Sequence, residues 1–376
     1  MIFKNANIFT EDFQFVHGGF DVEDGRFVSV WGGDVGDIEG VDLDGAYVIP
    51  GLIDVHNHGN SNADFSDGSY EGVARMAAYL GANGITSFAP ASMTLPYDVL
   101  EKAFATAAKL HAQKPAGSSK LQGIQMEGPF FSEKKKGAQN GAYLRLPDYD
   151  AFEKLYNGCG GLVKIVDVAP ELEGAEEFVA KASKLCTVSI AHTDSDYAHA
   201  KAAIDAGVTH LTHLFNAMPP IHHRKPGVIG ACAENKKVRA ELICDGIHVH
   251  PSSIRMAFSL FGASRIVLIS DALRCCGMPD GTYELGGQAV YLKGKTCTLA
   301  DGTLAGSVTN LFDCMRNVIS YGIAPEKAVR AATWNPACAL GLEDEIGSIA
   351  PGKCADFVIC DSDFNRKAVY IDGELV

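Results

Sequence analysis

The chain has 376 residues, 47% hydrophobic and 21% charged, with a formal net charge of −14. That length exceeds one small core and suits a large α/β body with a smaller appendage. The acidic balance excludes a broad nucleic-acid-binding face, though a local basic cluster can still hold a small anion. In chain order, residues 1–9, 19–24, 26–31 and 41–49 read as short strands, with Asp24-Gly25 and Asp44-Gly45 as turn dipeptides. Asn5, Asn7, Glu11 and Asp12 break the apolar start, so no signal peptide is expected, and no run is long enough for a membrane span.

From residue 52 the pattern changes to alternation. Residues 52–56, 85–90, 121–126, 162–169, 187–192, 209–214, 239–245 and 265–271 read as strands. Amphipathic stretches such as 100–110, 176–185 and 197–206 read as helices between them. This alternation predicts a (β/α)₈ TIM-like barrel. A doubly wound sheet would usually carry a glycine-rich phosphate turn after its first strand, and residues 54–59 are unlike one. Residues 283–304 read as a hairpin-like piece after the last strand. The segments 354–360 and 368–371 then return to the style of the first fifty residues. The expected organisation is a small β-sandwich domain from 1–50 plus 343–376 around a catalytic barrel at 51–342.

Eleven cysteines without a CxxC pair point to free thiols in a reducing cytoplasm and away from a thiolate zinc site. Cys275-Cys276 reads as two thiols on a loop. Histidines and carboxylates carry the chemical signal. His56 and His58 sit at the end of the first strand, where alternation turns both imidazoles to one side. Glu127 ends the third strand, His192 the fifth, His213 the sixth and Asp271 the eighth. In a barrel these strand ends share one mouth, where catalytic groups sit.

A single histidine at a strand end is usually structural, but six metal-competent side chains at one mouth form a site. Glu127, His192 and His213 provide three ligands with an open position. His56 and His58, with Asp271 and a shared Glu127, provide a second group. Imidazole and carboxylate without thiolate suit zinc, with iron or manganese as alternatives, as one or two ions. Asp271 is the proton acceptor and donor beside the metal, and the reaction class is metal-assisted hydrolysis.

The segments Pro50-Gly51-Leu52-Ile53-Asp54-Val55-His56-Asn57-His58-Gly59, Glu127-Gly128-Pro129-Phe130 and Thr212-His213-Leu214-Phe215-Asn216-Ala217-Met218 carry a family resemblance. Asp245-Gly246-Ile247-His248, Ser270-Asp271-Ala272 and the 347–356 stretch extend it to the C-terminus. Together they resemble the N-acetylglucosamine-6-phosphate deacetylase family of the amidohydrolase superfamily. The resemblance implies metal ligation by Glu127, His192 and His213, with Asp271 as the catalytic carboxylate. It also implies sugar-phosphate contacts from Asn216 and Ala217, a sugar contact from His248, and a phosphate contact from Arg224, reaching across from the neighbouring subunit of a homodimer. The implied substrate is N-acetylglucosamine 6-phosphate or its galactosamine epimer, converted to the free amine and acetate.

Arg224 lies in a basic stretch, His222-His223-Arg224-Lys225, that suits a phosphate. Lys134-Lys135-Lys136 reads as a solvated face. Two positions depart from the family pattern. This chain keeps His56 and His58, where some members lack the pair and use one metal. At Gln139 the family often has a histidine that helps hold substrate, and an amide there can still donate a hydrogen bond but carries no charge.

Overall fold

The computed structural model describes residues 1–33 and 38–376. The central strands are β1 (Leu52–Asn57), β2 (Ile85–Pro90), β3 (Ile124–Met126), β4 (Val163–Val168), β5 (Thr187–Ile190), β6 (His210–Leu211), β7 (Arg239–Ile243) and β8 (Ile266–Ile269). Strands β3 to β8 pair in chain order, all parallel, as one curled half-barrel. β1 pairs with β2, whose other edge carries Lys120–Leu121. Two seams join the arcs through the backbone. At one, Ser92 N donates to Gln125 O at 3.0 Å; at the other, Asp271 N donates to His56 O at 2.9 Å.

Alternation in the strands explains the layering. Val166, Val168, Val188, Ile190, Ala240, Leu242, Ile266 and Leu268 face outward and join one large core with the helices. These helices are α1 (Tyr70–Ala82), α2 (Tyr97–Gln113), α3 (Tyr149–Gly158), α4 (Ala175–Ala182), α5 (Tyr197–Ala206), α6 (Gly227–Glu234), α7 (Pro251–Phe261), α8 (Leu311–Ser320) and α9 (Pro325–Ala332); α10 (Trp334–Leu340) lies apart from this core. Side-chain caps start several of them: Ser69 accepts from Gly72 N before α1, and Asp196 accepts from His199 N before α5. The alternate residues Ile53, Val55, Ile165, Ile243, Val267 and Ile269 form a second apolar cluster with α10.

Several expected strands are shorter than their apolar patterns. The ladders stop at Ile190, Leu211 and Ile269, two residues before His192, His213 and Asp271. These three residues have φ of 43°, 31° and 49°, which no strand accommodates. They lie on the turns just past the strands, not on the strands themselves. The expected 121–126 strand is also divided, because Lys120–Leu121 pairs with β2 whereas β3 pairs with β4.

Both termini contribute to one eight-stranded sheet, ordered Glu374–Leu375, Arg366–Ile371, Phe357–Cys360, Tyr47–Pro50, Ile2–Phe9, Phe15–Glu23, Arg26–Gly32, with Val41–Asp42 beside Ile2–Phe9. Phe27 N donates to Lys353 O and Ala355 N to Gly25 O, so the edge strand turns back toward the C-terminal segment. Inside the curl, Phe3 stacks on Phe20 at 4.9 Å and meets Phe357 edge-on at 5.2 Å. The segment read as a hairpin is a three-stranded antiparallel sheet, Gly281–Leu285, Gln288–Lys293 and Thr296–Thr298. All eleven cysteines are free; Cys275 and Cys276 are buried, and Cys275 Sγ lies 3.7 Å from Cys297 Sγ.

Candidate active site

Above the apolar end of the strands, their inward side chains turn polar. Asp167 is fully buried and accepts from Gln125 Nε2 at 3.1 Å and Thr212 Oγ1 at 3.0 Å. Burial, with Glu241 and Glu127 nearby, pushes the Asp167 carboxyl well above the usual carboxylate range. One layer further out, His56, His58, Glu127, His192, His213 and Asp271 converge.

Each of the four histidines has its Nδ1 occupied by an acceptor. His58 Nδ1 lies 3.2 Å from Ala91 O, His192 Nδ1 2.9 Å from Lys135 O, and His213 Nδ1 3.2 Å from Asn216 O. His56 Nδ1 lies 3.0 Å from Glu241 Oε2. A carbonyl or carboxylate oxygen can only accept, so each Nδ1 carries the proton and each Nε2 presents a lone pair. Those lone pairs meet: His192 and His213 Nε2 are 3.1 Å apart, and His56 and His58 Nε2 are 3.4 Å apart. Glu127 Oε1 is 3.1 Å from both His192 Nε2 and His213 Nε2, and its Oε2 is 3.3 Å from His58 Nε2.

Facing lone pairs repel unless a cation lies between them. A tetrahedral ion with bonds of about 2.0–2.1 Å places neighbouring donors about 3.3 Å apart, close to these spacings. His56, His58 and Glu127 form one metal-competent group, and Glu127, His192 and His213 form another. With protons in place of ions, burial lowers the His56 pKa, but Glu241, Glu127 and Asp271 outweigh it and push it up to about 10. Burial would raise Glu127 and Asp271; the surrounding histidines, His56 foremost, outweigh it and hold both carboxyls below their ordinary values.

Local sequence explains how the ligands are held. Glu127 is followed by Gly128 at φ +103°, where a Cβ would lie 2.2 Å from Thr94 Oγ1, so only glycine lets the chain turn there. Gln139 is buried; its Nε2 donates to Glu127 Oε2 at 2.7 Å and its Oε1 accepts from Thr94 N at 2.8 Å. Phe131 stacks on His192 at 4.5 Å. Asp54, also buried, accepts from Ser270 N at 3.2 Å and from Asn57 Nδ2 at 3.3 Å, tying β1 to the Asp271 turn.

A cavity of about 270 Å³ opens onto these groups, lined by His58, Glu127, His192, His213 and Asp271. Gln139, Asn216, Ala217 and His248 line it as well. His248 Nδ1 is 2.7 Å from Asp245 Oδ2, which orients its ring. Arg224 is not in this lining; it is exposed on the turn after β6, where His222 and His223 rings lie 4.4 Å apart. Lys134 pairs with Asp194 at 3.0 Å and Lys136 with Glu133 at 3.2 Å, away from the cavity.

The sequence reading missed Glu241, the wall formed by Met93, Leu273 and Leu285, and the Leu304–Gly306 wall of the cavity. Residue type and strand position flag Glu241 as a carboxylate inside an apolar run. Nothing local flags the Leu304–Gly306 wall, which arrives by pairing of Ser307 N with Asp271 O at 2.6 Å.

The amidohydrolase family model matches residues 47–376. The chain belongs to the amidohydrolase family. It is 39% identical over 320 residues to an N-acetylglucosamine-6-phosphate deacetylase of Bacillus subtilis, covering 84% of this chain and 81% of the relative. An N-acetylgalactosamine-6-phosphate deacetylase of Escherichia coli O157:H7 is 32% identical, with 88% of each chain covered. Among solved structures, a variant of the N-acetyl-D-glucosamine-6-phosphate deacetylase of Mycobacterium smegmatis in complex with N-acetyl-D-glucosamine-6-phosphate superposes with a TM-score of 0.94 at 32% identity. That superposition covers 100% of this chain and 98% of the other.

Proposed function

We propose that this amidohydrolase hydrolyses the acetamide of N-acetyl-D-glucosamine 6-phosphate, releasing acetate and D-glucosamine 6-phosphate. The observation that carries the reading is the convergence of four histidine Nε2 atoms and two carboxylates, all but His56 lining one cavity. Imidazole nitrogens and carboxylate oxygens fit a divalent ion, zinc first and iron or manganese next, at one or both groups. Such an ion supplies positive charge that polarises the amide carbonyl and lowers the pKa of water. Asp271, held ionised, accepts a proton from the attacking water as its oxygen bonds the acetamide carbon. It then returns that proton to the nitrogen as the C–N bond breaks, so the product leaves as an amine.

Asn216, Ala217 and His248 line the cavity where the sugar phosphate would lie. Arg224 is exposed, and its guanidinium suits the phosphate of a site in a second copy, which supports a homodimer. Backbone bonds at both seams support closure of the eight strands into a TIM-like (β/α)₈ barrel at 51–342. The curled terminal sheet around Phe3, Phe20 and Phe357 supports a separate small sandwich from 1–50 and 343–376. No helix among the described residues is long and apolar enough to cross a membrane, and eleven free cysteines suit the cytoplasm.

Acetate release from N-acetylglucosamine 6-phosphate and N-acetylgalactosamine 6-phosphate tests the reading, with chelator and metal add-back. Activity on the glucosamine ester, lost with chelator and restored by metal, is expected. Asp271→Asn should cut turnover about 10²–10⁴-fold while metal content stays unchanged. Faster turnover of the galactosamine ester would reassign the sugar, and bound metal with no acetate from either would overturn the reaction.

A further inference from the structure

Of the four convergent histidines, three are oriented by main-chain carbonyls, those of Ala91, Lys135 and Asn216. No side-chain substitution removes those anchors. His56 is the exception: its Nδ1 is held by Glu241, in the middle of β7 and wholly buried. The same Oε2 that takes His56 Nδ1 at 3.0 Å also accepts His213 N–H at 3.2 Å. Oε1 takes His210 Nε2 at 3.1 Å.

A structural ion pair with His210 would need one oxygen only. Glu241 spends the other on a side chain of one metal-competent group and the backbone of the other. Because an ionised carboxylate accepts and never donates, it holds the His56 proton on Nδ1. The Nε2 lone pair then faces His58 Nε2 at 3.4 Å and Glu127 Oε1 at 3.6 Å. The opposite tautomer would aim an N–H at the same place, and a protonated nitrogen binds no cation.

We propose that Glu241 is a positioning residue that commits His56 to ligation through Nε2 and so makes His56–His58–Glu127 a competent second ion site. This rests on the reading of both histidine groups as ion sites. The carboxylate is wholly buried and does not line the cavity of about 270 Å³, so it acts through the groups it holds, of which His56 is the one metal-competent side chain.

Zinc(II) titration of the metal-stripped full chain against a chromophoric chelator tests it, comparing wild type, Glu241→Gln and Glu241→Asp. Wild type should take two ions. Glu241→Gln places an NH₂ against at least one of three donors, and should weaken the second ion about 10- to 100-fold and the first ion by less. Glu241→Asp keeps the acceptors and should recover part of that loss. Imidazole ¹⁵N spectra of the zinc-loaded wild type need no variant to fold, and should show His56 protonated at Nδ1 and ligated at Nε2.

Second-ion affinity within about twofold of wild type in a folded Glu241→Gln would overturn the positioning role. So would a His56 protonated at Nε2. A wild type that saturates at one zinc sinks the second site along with it, yet acetate release at the Glu127–His192–His213 group would stand.

Discussion

The two metal-competent groups share Glu127 but are built differently. His192 and His213 sit on left-handed turns past β5 and β6, open to the cavity, with both rings anchored by backbone carbonyls. His56 and His58 sit on or beside β1, with His56 deeper, fully buried and anchored by a carboxylate from β7. The first group is therefore held by main-chain atoms, local to His213 and from the loop after β3 for His192. The second depends on a remote side chain, which meets the first group only at the His213 N–H, so substituting it should act more strongly on the second.

Removing a ring from each group is the strongest way to break that comparison. His213→Ala should lose the cavity-facing ion and cut turnover about 10³-fold or more, an effect of several kcal/mol. His58→Ala should keep that ion, lose the deeper one and cost about tenfold in turnover. Metal analysis beside acetate assays reads both, and equal losses from the two variants would show that the groups act as one unit.

A smaller effect comes from protons. In the metal-free chain His56 is raised to about 10, so below that pH an ion must displace a proton to bind there. Affinity at the deeper group should therefore fall about tenfold per unit as the pH is lowered from 9 to 7. A flat titration over that range would show that His56 is already unprotonated.

The smallest effect is expected at Gln139. Its amide joins Glu127 Oε2 to Thr94 N–H, at 2.7 and 2.8 Å, with both ends occupied within the protein. Gln139→Ala should weaken metal binding about tenfold by loosening Glu127, with a larger effect on the deeper group, which shares Oε2. A change in KM for the sugar phosphate with unchanged metal affinity would instead place the amide on the substrate.

Much of this site is legible in the chain itself. His56 and His58 can be assigned to one face because strand alternation is a local property of the backbone. Glu127, His192, His213 and Asp271 each follow an apolar run, and parallel strands joined by helices send such positions to one end. The strand lengths are less legible. An apolar pattern continues through residue 191 and through residue 269, but no pattern of side chains reveals the positive φ at His192 and Asp271 that ends the ladders.

What the sequence by itself determined is the parallel alternating core and the identity of the six convergent side chains, because hydrophobic period and residue type are local. Only the tertiary structure decided which nitrogen of His56, His58 and His192 is free, since the anchors Glu241, Ala91 O and Lys135 O come from distant segments, whereas Asn216 O is local to His213. It likewise brought Leu304 and Gly306 to the cavity wall and left Arg224 on an outer turn. Those outcomes depend on which loops meet across the mouth, and such packing is a property of the assembled strands rather than of any one segment.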